Sequence, residues 1–156
     1  LNRPKEDTMT INSKSFDTFE ELSQELDLIG FMSAYTNIPL SKINTYIKFD
    51  NIEFGGANDI TYNKDESSFS ITENHTYILL SRYIGKTVAN STNSFIIYAN
   101  NIPISSLTQE TSTNGDLNCN NYIFYTSTTP TDIKILNTGE SNIQDFKCKF
   151  LILEMD

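Results

Sequence analysis

Any catalysis by this chain would have to pass through very few side chains. His75 is the single imidazole, so a Ser-His or Cys-His nucleophilic site would have to use it as the base. It stands in Glu73-Asn74-His75-Thr76, a polar corner between two apolar runs with no nucleophile-elbow sequence beside it, and reads as a solvated turn histidine. Cys119 and Cys148 are the two cysteines, the first in an Asn-rich loop. One histidine and two isolated cysteines do not make a standard four-ligand zinc site, so no metal and no cofactor are expected. Gly85-Lys86-Thr87 has the ending of a phosphate-binding loop, but the position that should hold its first glycine is Leu80 and the preceding residues read as strand. Three carboxylate pairs, Asp65-Glu66, Glu53 with Asp59, and Glu140 with Asp145, could serve acid-base work or calcium. None sits in an Asp-rich ligand loop, and they read as solvated acidic loops.

Cys148 alternates with Phe146 and Phe150 and so belongs to one strand face, where a free core thiol is expected. Spacing alone leaves the pairing of the two cysteines open. Asn74-His75-Thr76 and Asn90-Ser91-Thr92 fit the glycosylation acceptor pattern, as chance predicts in a chain so rich in Asn.

The elements that must carry these residues are set by composition. In 156 residues there are 18 Asn, 16 Ser, 18 Thr and 19 Ile, a mixture that favours strands and turns over helices. One all-β domain is the expectation, and the length suffices for a real core. A net charge of −9 supplies no counterion release on a phosphate backbone, which argues against nucleic-acid binding. No apolar run reaches the length of a membrane span, and LNRPKEDTMT lacks the features of a signal peptide. Membrane insertion is therefore not expected, and the chain reads as cytosolic or as a piece of something longer.

Residues 1–15 are polar and unpatterned and read as a tail or linker. Phe19, Leu22, Leu26 and Ile29 recur at helical spacing, Asp17 and Glu20 resemble a capping box, and Gly30 offers a stop. A helix is thus expected over 17–29, within a segment 16–29, packed on its own domain or forming a short seam between chains. From residue 30 the period becomes two, with strands expected at 31–36, 45–54, 68–72, 76–84, 94–101, 106–111, 121–127, 131–137 and 146–155. Turn residues lie between them, among them Gly55-Gly56, Asn63-Lys64-Asp65, Asn100-Asn101-Ile102-Pro103, Asn114-Gly115-Asp116 and Asn137-Thr138-Gly139. TYILLSRYI and SFIIYA are apolar on both faces, more than a lone sandwich needs. A second copy of the chain would cover the surplus, and Tyr77, Leu79, Tyr83, Tyr122 and Phe124 are the residues expected at that interface.

The run GFMSAYTN, TYIKFDNIEFGG, FSITENHTYILLSRYIG, SFIIYANNIPIS, YIFYTSTTPTDIKILNTG and FKCKFLILEM resembles the tumour necrosis factor and complement globular-head superfamily over residues 30–156. It is similar in particular to the C-terminal heads of collagen-like glycoproteins on bacterial spores and to heads of phage and large-virus surface proteins. FSITENHTY is similar to the family's strand pair in which Phe precedes a Gly-Tyr corner, and YANNIPIS to its Asn-Gly-x-x-Ile hairpin. Asn74-His75-Thr76 departs from the Gly before the Tyr, and Asn101 stands where Gly is common.

The resemblance implies a ten-strand jelly roll that trimerises at the end of a stalk and recognises ligands without catalysis, on a spore surface, an appendage or a virion. Two alternatives remain beside this: a purely architectural cap, and a surface carbohydrate-modifying enzyme on the same scaffold. In an antiparallel jelly roll the connections alternate between ends, which puts 37–42, 85–93, 113–120 and 138–145 at the tip. Asn90, Thr92, Asn93, Asn114, Asp116, Asn118, Glu140, Asn142, Gln144 and Asp145 there form an amide and carboxylate surface suited to a carbohydrate or a protein receptor.

Overall fold

The computed structural model describes residues 9–11, 14–16, 28–56, 59–72 and 74–155. β1 (Met9–Ile11) and β2 (Lys14–Phe16) pair as a small antiparallel ribbon, all but Phe16 within the stretch 1–15 expected to be a tail. Eleven further strands follow: β3 (Leu28–Ser41), β4 (Thr45–Tyr46), β5 (Asn51–Gly56), β6 (Thr61–Asn63), β7 (Ser68–Ile71), β8 (Thr76–Lys86), β9 (Thr92–Ala99), β10 (Ile102–Glu110), β11 (Asp116–Thr126), β12 (Thr131–Asn137) and β13 (Ile143–Met155). They form two antiparallel sheets, one in the order β11-β8-β13-β3-β5 and the other β10-β9-β12-β7-β6 with β4 on the end of β12. This is a jelly-roll sandwich, the all-β class that the composition predicts.

There is no helix among the described residues. Most of the helix expected over 17–29 lies outside them, but Leu28 and Ile29 are strand, and Gly30 pairs with Glu154 on one side and Gly56 on the other instead of ending a helix. The expected strand 45–54 is two strands in different sheets. β4 lies on β12, β5 lies on β3, and the corner between them turns Ile47 and Phe49 into the core, with the Ile47 amide bonded to the Ile135 carbonyl at 2.9 Å. β9 and β10 are joined by Asn100 and Asn101 with φ of 49° and 65°, the pair of left-handed residues that a two-residue hairpin requires. Asparagine at both places supplies what glycine would.

The inward rows of both sheets meet in one core. Phe49, Phe69 and Phe150 sit with ring centroids 5.3 to 6.3 Å apart, and Tyr62 packs on Phe69 at 4.5 Å. Tyr77, Leu79 and Tyr83 belong to the inward row of β8 and are buried between the sheets. They therefore lie in the core and not, as their apolar pattern suggests, at a surface between chains. The outward row of the same strand carries Ile78 and Leu80, which join Leu151 and Leu153 of β13 in a second apolar cluster.

Candidate functional site

The base of the sandwich is taken as the end where β3 starts and β13 finishes; the opposite end is the tip. At the tip, four segments are tied by backbone and side-chain hydrogen bonds. The Thr87 amide donates to the Gly115 carbonyl, Thr111 to Ser91 and Glu140 to Thr92, each at 2.9 Å. The Ile43 amide donates to Asn142 Oδ1 at 3.0 Å, and buried Asn137 donates through Nδ2 to Ser41 Oγ at 3.0 Å. The loops 87–91, 111–115 and 138–142 and the end of β3 thus share one surface. Gly115, with φ of 76°, permits this approach, because a Cβ there would strike the Thr87 carbonyl.

The structure places the ten expected tip residues unequally. Asn90, Asn114, Asp116, Glu140, Asn142, Gln144 and Asp145 are exposed, and Thr92 is half-buried. Asp116 lies 3.4 Å from Lys86 Nζ. Asn93 is 0% exposed and cannot meet a ligand, since it falls on the inward row of β9 with Phe95 and Ile97; its Nδ2 donates to the Ser91 carbonyl at 3.3 Å. Asn118 is exposed on the flat outer face of the five-stranded sheet, where its Oδ1 accepts from Arg82 Nη2 at 3.2 Å.

That outer face has two halves. Toward the tip, Tyr35, Arg82, Ile84, Lys147 and Lys149 line a shallow depression, a concentration of positive charge in a chain of net charge −9. Toward the base, Ile78, Leu80, Leu151 and Leu153 form the second apolar cluster, with Leu28, Phe31, Tyr122 and Met155 packed on it. Tyr122 meets Phe124 edge to face at 6.1 Å, and Phe124 is 51% exposed. These two expected interface residues do lie on an outer surface.

The structure also assembles features that no local spacing announces. His75, expected as a free turn residue, has Nδ1 3.3 Å from Glu154 Oε1. The Glu154 carboxyl pKa is raised, first by burial; the His75 charge lowers it and Asp59 raises it again. A cleft of about 170 Å³ at the base is lined by Glu66, Tyr98, Asn100, Asn101, Asp132 and Lys134, drawn from two hairpins and β12. Gly85 lies inside β8 against Ile143, where a Cβ would collide; Gly85-Lys86-Thr87 is the end of a packed strand and not a phosphate loop.

Both cysteines are free and buried. Cys119 on β11 and Cys148 on β13 each pair with Tyr83 of β8, so a whole strand separates them. Two strand spacings of about 4.8 Å put their Cα atoms well beyond disulfide reach. No helix among the described residues is long and apolar enough to cross a membrane.

Strand order and sheet pairing define the fold as an antiparallel two-sheet jelly roll. Solved structures with this fold include the globular domain of a zebrafish complement 1qA protein, with a TM-score of 0.59 and 14% identity over 80% of this chain and 95% of that one. The Eiger TNF of S. frugiperda aligns with a TM-score of 0.57 and 11% identity over 79% and 91% of the two chains. The PRD1 vertex protein P5 aligns with a TM-score of 0.56 and 6% identity over 83% and 99%. No family model and no curated protein matches the sequence.

Proposed function

We propose that the chain is a non-catalytic head that works as a homotrimer at the end of a stalk, fibre or appendage, on the outside of a spore, cell or virion, and attaches to a surface partner through its tip. The observation that carries this reading is the outer face of the five-stranded sheet. An isolated antiparallel sandwich solvates that face, yet here Ile78, Leu80, Leu151 and Leu153 form a second apolar cluster already buried within the single chain, and at its margin Phe124 stays 51% exposed beside Tyr122. Apolar side chains grouped on one flat face are the mark of an association surface. Neighbouring copies packed around a threefold axis would cover this exposed margin, with Tyr122 and Phe124 at the contact.

Recognition falls to the tip because its loops present amides and carboxylates on a backbone held by hydrogen bonds between segments. Asn90, Asn114, Asp116, Glu140, Asn142, Gln144 and Asp145 offer both donors and acceptors, which suits the hydroxyls of a carbohydrate or the polar surface of a protein. A vertex protein among the structures of the same fold is in keeping with a virion or appendage location. Light scattering of the native chain tests the assembly, and attachment of tip-loop variants to the native surface tests the recognition.

A further inference from the structure

Three ionisable side chains from separate segments converge at the base of the sandwich. Asp59 comes from the connection between β5 and β6, His75 from the residue before β8, and Glu154 from the penultimate position of β13. One potential ligand atom from each lies within 4.8 Å of the other two. The arrangement is graded in depth: Asp59 is exposed, the His75 side chain is 36% exposed, and Glu154 is 1% exposed.

Glu154 is the anomaly. It continues the inward row of Phe150 and Ile152 and pairs with Tyr77, so its carboxylate enters the floor of the core. Neither of its oxygens makes a well-formed hydrogen bond, although both are shielded from solvent, and His75 Nδ1 stands 3.3 Å from Oε1. The nearby Tyr77 hydroxyl lies 3.1 Å from Thr72 Oγ1. A carboxylate taken this far out of water with few and poorly formed contacts is stabilised by a proton or a cation. Its oxygens are directed at the one imidazole of the chain, and a second carboxylate stands at the open side.

We propose that Asp59, His75 and Glu154 bind one divalent transition-metal ion of the zinc class. Two carboxylate oxygens and one imidazole nitrogen are three protein ligands, and the exposed side of His75 and Asp59 leaves room for water to complete the shell. The two negative charges offset the charge of the ion. The imidazole separates this donor set from a calcium site, which takes six to eight oxygens at about 2.3–2.6 Å. Bound there, the ion would tie the connection after β5 to the ends of β8 and β13 and give the buried Glu154 carboxylate a full positive charge beside His75.

The test uses the full untagged chain, stripped with EDTA, dialysed and titrated with zinc chloride at neutral pH by isothermal calorimetry. The proposal expects saturation at one ion per chain and a rise in the thermal midpoint that EDTA reverses. Glu154→Gln and His75→Asn should each weaken binding by about tenfold or more while the circular dichroism of the strands is unchanged. His75→Asn is the safer variant because the side chain is partly exposed. Absence of saturable zinc binding would overturn the site and leave Glu154 as a protonated acid or a simple partner of His75. Undiminished binding in His75→Asn would overturn the ligand assignment, and displacement of zinc by an equal concentration of calcium chloride would overturn the metal class.

Discussion

Tyr83 of β8 and Phe95 of β9 stack face to face across the sandwich, with ring centroids 3.8 Å apart and planes 6° from parallel. Phe146 continues the stack from Phe95 at 6.1 Å. The two sheets are joined near the tip by this column, and both partners are almost wholly buried. Phe95→Ala should therefore cost about 3–5 kcal/mol through lost transfer energy and a cavity, read as a lower urea midpoint. Tyr83→Asp should give misfolded chain and not a soluble monomer, because an unpaired charge would enter the core.

The cysteines should behave as inert core thiols. Burial pushes the Cys119 thiol up to about 12 against the opposing charge of Arg82, and it raises Cys148 well above the usual thiol range. The thiolate is the reactive form, so a thiol-specific disulfide reagent at mildly alkaline pH should label neither in the native protein and both after denaturation. The mass of the chain should not change on reduction. Rapid native labelling at two positions would contradict the burial of both.

Much of this core was legible in the sequence, and its limits are instructive. TDIKILN predicts β12 with the observed bounds because its alternation is unbroken and both ends carry turn residues. β6 is too short and too polar to show a period. The split of 45–54 leaves only a small trace, a slip of phase across Asp50-Asn51 from Ile47 and Phe49 to Ile52 and Phe54, which a single run of strand-forming residues hides. The apolar character of both faces of TYILLSRYI was readable, but a period of two does not say which row faces inward. The surplus of apolar residues alone points Tyr77, Leu79 and Tyr83 outward; their burial and the cross-sheet stack of Tyr83 on Phe95 decide the opposite. Asp59, His75 and Glu154 come from three distant segments, so only the closing of the sandwich brings them together; a lone glutamate within the apolar run FLILEM was the available signal.

Glu154 should give stability a measurable pH dependence in protein freed of metal by a chelator. Its pKa in the fold is raised above the ordinary value of 4.5, chiefly by burial, with the His75 charge opposing and the Asp59 charge adding. A raised acid binds its proton more tightly in the native state, so its favourable contribution is complete below the unfolded value and is lost as pH rises through the native one. Glu154→Gln should remove this decline and raise the urea midpoint at neutral pH. A variant less stable than the native chain across that range would show that the carboxylate is satisfied in the fold.

The tip surface should tolerate change without loss of fold. The Asp116–Lys86 pair is exposed on both sides, where such pairs contribute at most about 1 kcal/mol. Asn142 Oδ1 accepts one backbone bond from Ile43, and its removal should cost about 1 kcal/mol. Asp116→Ala combined with Asn142→Ala should therefore keep the thermal transition cooperative and the assembly intact while attachment to the natural surface falls. Attachment unchanged after alteration of all the tip loops would move recognition to the flanks or leave the head purely architectural.

The central claim is that the outer face of the five-stranded sheet joins three copies through Tyr122 and Phe124, and the most direct measurement is the mass in solution by multi-angle light scattering. The account predicts a concentration-independent mass of three times the 17.7 kDa chain. It further predicts that Phe124→Asp, which alters a residue 51% exposed in the single chain, shifts that mass to one chain while the circular dichroism is retained. A native mass of 17.7 kDa at micromolar concentration, or a Phe124→Asp variant that stays fully assembled, would contradict it.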